Sequence, residues 1–164
     1  MIERIYTDGA CTSDKFGGWA SIFFTQSGTI IFSGGESKTT NNRMELKAII
    51  ESLKHIINYD SWYFEKNNEY PNIKYEVFSD SAYCINCICN RWYRAWENNH
   101  WKNARGDEIK NPDMWFECGS LIEYLQDAGI PVRFFKVKGH SGNVKNDLAD
   151  TVAKSESMKA KMGL

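Results

Sequence analysis

What this sequence has little of narrows its class before any motif is read. No apolar run approaches the ~20 residues that a helix needs to cross a bilayer, and the start carries neither the basic nor the apolar segment of a secretory signal. A soluble, cytoplasmic protein with no membrane partner is expected. Neither sign of charge is in excess: 20 Lys and Arg stand against 21 Asp and Glu, a net of -1. The overall field therefore gives no reason to bind a polyanion, and any nucleic-acid contact must rest on local basic patches. Proline is scarce, with 3 in 164 residues. No linker, repeat or low-complexity segment divides the chain, so residues 1–164 are expected to form a single domain, monomeric by default.

Cysteine is also too sparse to build a framework. The 5 thiols, Cys11, Cys84, Cys87, Cys89 and Cys118, are an odd number. Cys84-x-x-Cys87-x-Cys89 has a superficial ligand spacing, but on the helix predicted there the three positions do not share a face. No histidine or fourth cysteine sits at ligand spacing either, so free structural thiols in a reducing compartment are expected.

What is present is an alternation of strand and helix patterns. Glu3–Thr7 alternates and runs into Asp8-Gly9, which reads as a strand closing in a polar turn. Trp19–Thr25 and Thr29–Ser33, separated by Gln26-Ser27-Gly28, read as two more strands joined by a hairpin turn. From Asn42 the apolar positions Met44, Ala48, Ile49, Leu53, Ile56 and Ile57 recur at three and four, predicting a helix to about Asn58. Asp60–Asn72, rich in Asn, Lys, Glu and aromatics, reads as a surface loop. Ile73–Ser79 alternates again and stops at Asp80-Ser81. Helices are predicted over Ser81–Asn90 and Arg91–Asn98, then from an Asn111 cap through Pro112 and Leu125 to Gly129. Val132–Val137 is the last strand, Lys138–Asn143 a Gly-flanked loop, and Asn146–Ser157 the last helix. Strand, helix, strand implies a parallel crossover, hence an α/β fold with a mixed sheet flanked by helices.

The chemistry concentrates in isolated carboxylates. Thr39-Thr40-Asn41-Asn42-Arg43-Met44-Glu45-Leu46 leads small polar residues into a helix, and Glu45 reads as a first-turn carboxylate. It is open to a capping-box role with Asn42 or Thr40 as well as to a ligand role. Asp8 and Asp80 at the ends of neighbouring strands would stand side by side, where α/β sheets gather ligands. Glu45 and an aspartate of the last helix would complete a cluster. Carboxylates so close stay ionised only when cations neutralise them, and oxygen ligands of this kind suit Mg²⁺ or Mn²⁺.

Five stretches, in this order, carry a resemblance: Tyr6-Thr7-Asp8-Gly9-Ala10-Cys11, Thr39 to Leu46, Ser79-Asp80-Ser81-x-Tyr83, Lys138-Gly139-His140-Ser141-Gly142 and Asn146-Asp147-x-Ala149-Asp150. With them the chain resembles type 1 ribonuclease H, the bacterial-like form, nearly end to end. The resemblance implies a ribonuclease H-like fold with a five-stranded mixed sheet, three strands antiparallel and then two parallel. It implies an endonuclease that hydrolyses the RNA strand of an RNA/DNA hybrid with two Mg²⁺ ions, Mn²⁺ as a substitute, leaving 5′-phosphate and 3′-hydroxyl ends. Carried over position by position, Asp8, Glu45, Asp80 and Asp150 match the metal-binding carboxylates. Asp147 is an acidic neighbour that the helix dipole favours. His140 matches a loop histidine that assists proton transfer or product release.

Substrate contacts follow on the same basis. Cys11, Asn41 and Asn42 match residues near the 2′-hydroxyls of the RNA strand, and Thr40 one at the pocket for a DNA-strand phosphate. The segment from Arg91 to Lys102 resembles a basic protrusion, with Arg91, Trp92, Arg94, Trp96, Trp101 and Lys102 as candidate contacts to the DNA strand. A tryptophan-stapled subcore is expected to share that segment. Two departures stand out: Ala82 replaces the usual Gln, and Glu97-Asn98-Asn99 replaces a more basic run, which implies weaker hybrid binding. The chain begins at its first strand, so a separate hybrid-binding domain is not expected.

Overall fold

The first 36 residues form a meander because their alternating side chains have two faces to fill. In the computed structural model, which describes residues 1–164, β1 (Ile2–Cys11), β2 (Gly17–Thr25) and β3 (Gly28–Glu36) pair antiparallel in sequence order. α1 (Asn41–Asn67) then crosses over to β4 (Lys74–Ser79), which lies parallel to the other side of β1. Three helices, α2 (Ala82–Cys89), α3 (Trp92–Asn98) and α4 (Pro112–Asp127), precede β5 (Val132–Lys136), parallel to β4; α5 (Val144–Met162) ends the chain. The sheet order is β3-β2-β1-β4-β5, the five-stranded mixed sheet expected. No helix is long and apolar enough to cross a membrane.

Period-two alternation sorts the core into two layers. Ile5, Phe23 and Val77 join the main cluster with Leu46, Ile49, Ile50 and Leu53 of α1. Their neighbours Tyr6, Ile22 and Phe78 face the other way, against Ala149 and Val152 of α5. Two glycines let these helices lie directly on strand backbone. A Cβ on Gly9 would stand 2.3 Å from the backbone nitrogen of Glu45, and one on Gly18 would stand 2.2 Å from the carbonyl oxygen of Ala153. Any side chain there would push its helix off the sheet.

The structure corrects several boundaries. α1 does not stop near Asn58: the Asp60–Asn72 segment read as a loop is helical up to Asn67. No glycine or proline interrupts it, and Tyr59 packs against Trp62 and Tyr63 one turn on, with ring centroids 5.8 and 6.0 Å apart. The helix ends where Asn68 turns left-handed (φ 55°) and its N–H donates to the Phe64 carbonyl. β1 does not close at Asp8-Gly9 either. Gly9, Ala10 and Cys11 continue opposite Trp19, Gly18 and Gly17, because β2 is long enough to receive them. The pairing of β1 with β4, in contrast, ends at Thr7 opposite Ser79. Asp8 therefore lies where the parallel half of the sheet stops and the antiparallel half continues. Asn111 precedes α4 but does not cap it through its side chain, since its backbone is left-handed (φ 59°) and its side-chain Oδ1 accepts from Arg43 Nη1 instead.

If the contact at Gly9 seats α1, Gly9→Ala lowers stability by about 3 kcal/mol, the upper range for an overpacked interior site. Urea unfolding followed by circular dichroism measures it; an unchanged midpoint would show that the helix has room to move.

Candidate active site

Four elements converge on one open cleft of about 780 Å³, lined among others by Asp8, Glu45, Asp80, His140 and Asp150. Asp8 is supplied by β1 at the fork just described. It is almost fully buried; its Oδ1 accepts from the Gly9 N–H at 2.9 Å, and its Oδ2 is buried with no hydrogen-bond partner. Glu45 is supplied by α1, whose cap is Thr40: that hydroxyl accepts from the Arg43 N–H at 3.2 Å. Asn41 is thus the first helical residue and Glu45 the fifth, beyond the first turn, so the capping-box reading of Glu45 is overturned. Glu45 is 5% exposed and its Oε2 also lacks a partner.

Asp80 follows β4 at a tight strand-to-helix junction. The Ser79 hydroxyl accepts from the Ser81 N–H at 3.1 Å, and the Ser81 hydroxyl, as the cap of α2, accepts from the Cys84 N–H at 3.1 Å. One carboxylate oxygen from each of Asp8, Glu45 and Asp80 lies within 4.8 Å of the others. Asp150, on α5, lines the same cleft outside this trio, with its Oδ2 paired to Lys154 Nζ at 2.9 Å.

Crowding and burial act on all three carboxyl groups in the same sense. Burial pushes Asp8 up to about 7; the Asp80 and Asp150 charges add to that, while hydrogen bonds from Glu45 and the Gly9 N–H oppose it. Burial and then the Asp8 charge hold Glu45 well above the carboxylate range. Asp80 is raised by burial and by Asp150, with His140 pulling the other way. Unpartnered buried carboxylate oxygens converging from separate elements are what a hard divalent cation satisfies, so the donor set fits such an ion.

The other expected contacts divide into two groups. Cys11, Asn41 and Asn42 line the cleft beside the carboxylates, and Thr40 stands just outside it as the helix cap. Asp147 lies in the first turn of α5, where the macrodipole favours it. The tryptophan segment is not part of the cleft. Trp96 packs edge-on to the buried Trp115 at 6.1 Å and Trp101 against Phe116 at 6.3 Å, so both staple α3 and its following loop to α4. Trp92 is 45% exposed. Arg94 leans back onto α4, 3.6 Å from Glu123 and 3.4 Å from Gln126, whereas Arg91 and Lys102 are exposed with no ion pair. The subcore and the exposed aromatic thus coexist.

Sequence reasoning missed two groups. Lys154 lines the cleft, and its signal was the four-residue spacing from Asp150. Arg43 makes a bidentate pair with Asp113 at 3.0 and 3.2 Å and reaches Asn111, whose amide donates to Tyr83 Oη at 3.2 Å. Trp115 Nε1 donates to the same oxygen at 2.8 Å. This network ties the α1 N-terminus to α4 across nearly seventy residues, and no local pattern encodes it.

Comparison with known proteins agrees with this geometry. The family model described as RNase H matches residues 2–158. The ribonuclease H of Caldicellulosiruptor saccharolyticus is 41% identical over 152 residues, 92% of each chain, and that of Syntrophomonas wolfei is 38% identical over 152 residues, again 92% of each. Among solved structures, LC9-RNase H1, a type 1 RNase H with the type 2 active-site motif, superposes with a TM-score of 0.70 at 22% identity, over 97% of this chain and 73% of that one. LC11-RNase H1 in complex with an RNA/DNA hybrid gives 0.66 at 17% identity, over 97% of this chain and 99% of that one. At those identities the structures speak for the fold, while the family model and the curated relatives go further: this chain belongs to the ribonuclease H family.

Proposed function

We propose that the cleft hydrolyses the RNA strand of RNA/DNA hybrids with Asp8, Glu45, Asp80 and Asp150 holding two divalent cations, Mg²⁺ by preference. The chain is a ribonuclease H, a hybrid-specific endoribonuclease. The observation that carries the residue assignment is the trio of carboxylates within 4.8 Å, two of them with a buried oxygen that has no partner. Cations bound there supply charge that polarises the scissile phosphate and activates the attacking water.

The rest of the chemistry belongs to the chain's own groups. Glu45 and Asp8 shed the proton that burial makes them keep, and the anionic pair then offers its free oxygens as ligands. Asp150 is freed from Lys154 for the same purpose. Asn41 and Asn42, exposed at the head of α1, present amides that donate to and accept from RNA 2′-hydroxyls, the groups that separate RNA from DNA. His140, exposed in its loop, delivers a proton to the departing 3′ oxygen, leaving 3′-hydroxyl and 5′-phosphate ends. Arg91, Trp92 and Lys102 steady the DNA strand, with phosphates on the cations and a sugar face on the ring. Five free thiols suit a reducing compartment such as the cytoplasm.

Incubating labelled RNA/DNA, RNA/RNA and DNA/DNA duplexes with Mg²⁺ tests the assignment. Wild type is expected to cut the hybrid alone. Asp8→Asn and Glu45→Gln each lose more than about 100-fold in rate, beyond the usual cost of disturbing residues that only support metal ligands, yet retain hybrid binding. Asn42→Ala narrows the preference for RNA. Equal cleavage of all three duplexes, or full activity in either carboxylate variant, would sink it.

Removing metal gives an independent measurement. Asp8 has a folded-state value near 7 against an ordinary 3.8. A carboxyl raised on folding contributes stability that is complete below about pH 4 and is lost as the pH climbs through 7. In EDTA, Asp8→Asn is therefore expected to stabilise the protein by about 2–4 kcal/mol at pH 8 and by little at pH 4. Added Mg²⁺ raises the melting temperature of the wild type and much less that of the variant. A pH-independent difference would show that the carboxylates are not crowded as described.

A further inference from the structure

Between Asn41 and Asn42, which line the cleft, and Glu45, which lines it too, the side chain of Arg43 turns away from the cleft to α4. Its Nη1 donates to Asn111 Oδ1 at 3.1 Å and to Asp113 Oδ1 at 3.2 Å, and its Nη2 to Asp113 Oδ2 at 3.0 Å. That fork, helped by the Met114 N–H, holds the Asp113 carboxyl below its ordinary range. An asparagine in the cap position usually bonds the first turn of its own helix. Asn111 forgoes that bond: its backbone is left-handed, and its amide lies between helices, accepting from Arg43 and donating to Tyr83 Oη at 3.2 Å. A local cap is given up for a junction between elements, which marks a positional constraint.

From Asn111 the constraint runs on to the tryptophan segment. Ile109, two residues earlier, donates its N–H to the Trp101 carbonyl at 2.9 Å, and Lys102 pairs with Glu108 in a short antiparallel bridge. Trp115, one turn into α4 and fully buried, donates to Tyr83 Oη and meets Trp96 edge-on, and Trp92 packs on Trp96 at 6.5 Å. A movement of the α4 N-terminus therefore carries Trp92, Trp96, Trp101 and Lys102 with it. The body of α4 does not depend on Arg43, because Trp115, Cys118 and Ile122 lie in the main core and Lys54 pairs with Glu117 at 2.8 Å. The fork sets where one end of α4 stands, not whether α4 stays.

We propose that Arg43 is a positioning residue that fixes the separation between Asn41 and Asn42 on one side and Trp92 and Lys102 on the other, and so selects duplexes by the span between their strands. This rests on the reading above, in which the first pair touches the RNA strand and the second the DNA strand. The minor groove is wide in A-form RNA and narrow in B-DNA, so the span differs between duplex types. Two contact sets held at one spacing accept the duplex that matches it and reject those that must deform to reach both. Direct capture of a phosphate by Arg43 is the alternative, and the geometry disfavours it: both Nη atoms already donate to Asn111 and Asp113, and the side chain is not part of the cleft lining.

Steady-state cleavage of one RNA/DNA hybrid, with an RNA/RNA duplex of the same sequence as competitor, gives KM, kcat and the competitor's Ki. Arg43→Lys keeps the charge and loses the fork. Asp113→Asn removes a negative charge, which on electrostatics alone tightens the binding of a polyanion. Both are expected to raise KM for the hybrid about fivefold, the upper range for an exposed ion pair, with kcat and the RNA/RNA Ki changed less than about twofold. The double variant is expected to be no worse than either alone, since both remove one junction, and urea midpoints stay within about 0.5 M of wild type. Tighter hybrid binding by Asp113→Asn, wild-type kinetics for Arg43→Lys, a loss that falls on kcat, or equal rises in KM and Ki overturns the proposal. The Asp113 side chain is 65% exposed, so its variant decides the matter should Arg43→Lys fail to fold. Any of these outcomes beside normal hybrid cleavage by wild type leaves the activity standing, whereas a wild type that does not cut the hybrid sinks that reading and this inference with it.

Discussion

Everything at the carboxylate end of the molecule depends on how closely α1 lies on β1. Helices pack on sheets through side chains, which keep the two backbones well apart. At Gly9 that spacer is missing, and the helix backbone comes down until a methyl group has no space. This contact brings a residue on the fifth position of a helix within ligand distance of one in the middle of a strand. Thr40 fixes where the helix starts, and the Arg43 network holds that end against α4. Glu45 is thereby brought to Asp8 by backbone contacts at its base.

The carboxylate cluster is consequently a source of tension in the fold, not of cohesion. Hydrophobic packing on both sheet faces holds together groups that repel one another and have lost their water. The chain relieves part of this by proton retention on Asp8 and Glu45, and part by the Lys154 ammonium drawn to Asp150. Such a site has free energy to gain from any hard cation, and its readiness to bind comes from that unmet demand.

The parts of this arrangement that are local in the chain were legible without coordinates. Strand alternation and the 3.6-residue period of residues 44–57 marked the elements, and the order strand, helix, strand led to the mixed sheet. Errors arose where a local signal competed with a distant partner. Thr7-Asp8-Gly9 has the chemistry of a turn, yet the length of β2 carries β1 through it. Residues 59–67 look like a polar loop because their stabilising aromatics touch one another at turn spacing instead of forming an apolar stripe. Asn111 sits where a cap belongs, but a guanidinium from another helix claims its oxygen. The assignment of Asp8, Glu45, Asp80 and Asp150 as proposed metal ligands rests on resemblance; residue pattern alone also allowed ordinary turn roles for the strand-end aspartates and a cap role for Glu45.

A continuous α1 of 27 residues also has a phase. Leu46, Ile49, Ile50, Leu53 and Ile56 are buried in one stripe that has Glu45 at one end and Asp60 at the other. Each residue added or removed between them rotates one end against the other by about 100°. Either the apolar stripe would leave the sheet or the carboxylate would leave its partners. Chain length on this helix is therefore free to vary only beyond its last buried position, Asp60, and the stretch from there to the next strand is the one place where this connection can lengthen without turning Glu45 away from Asp8 and Asp80.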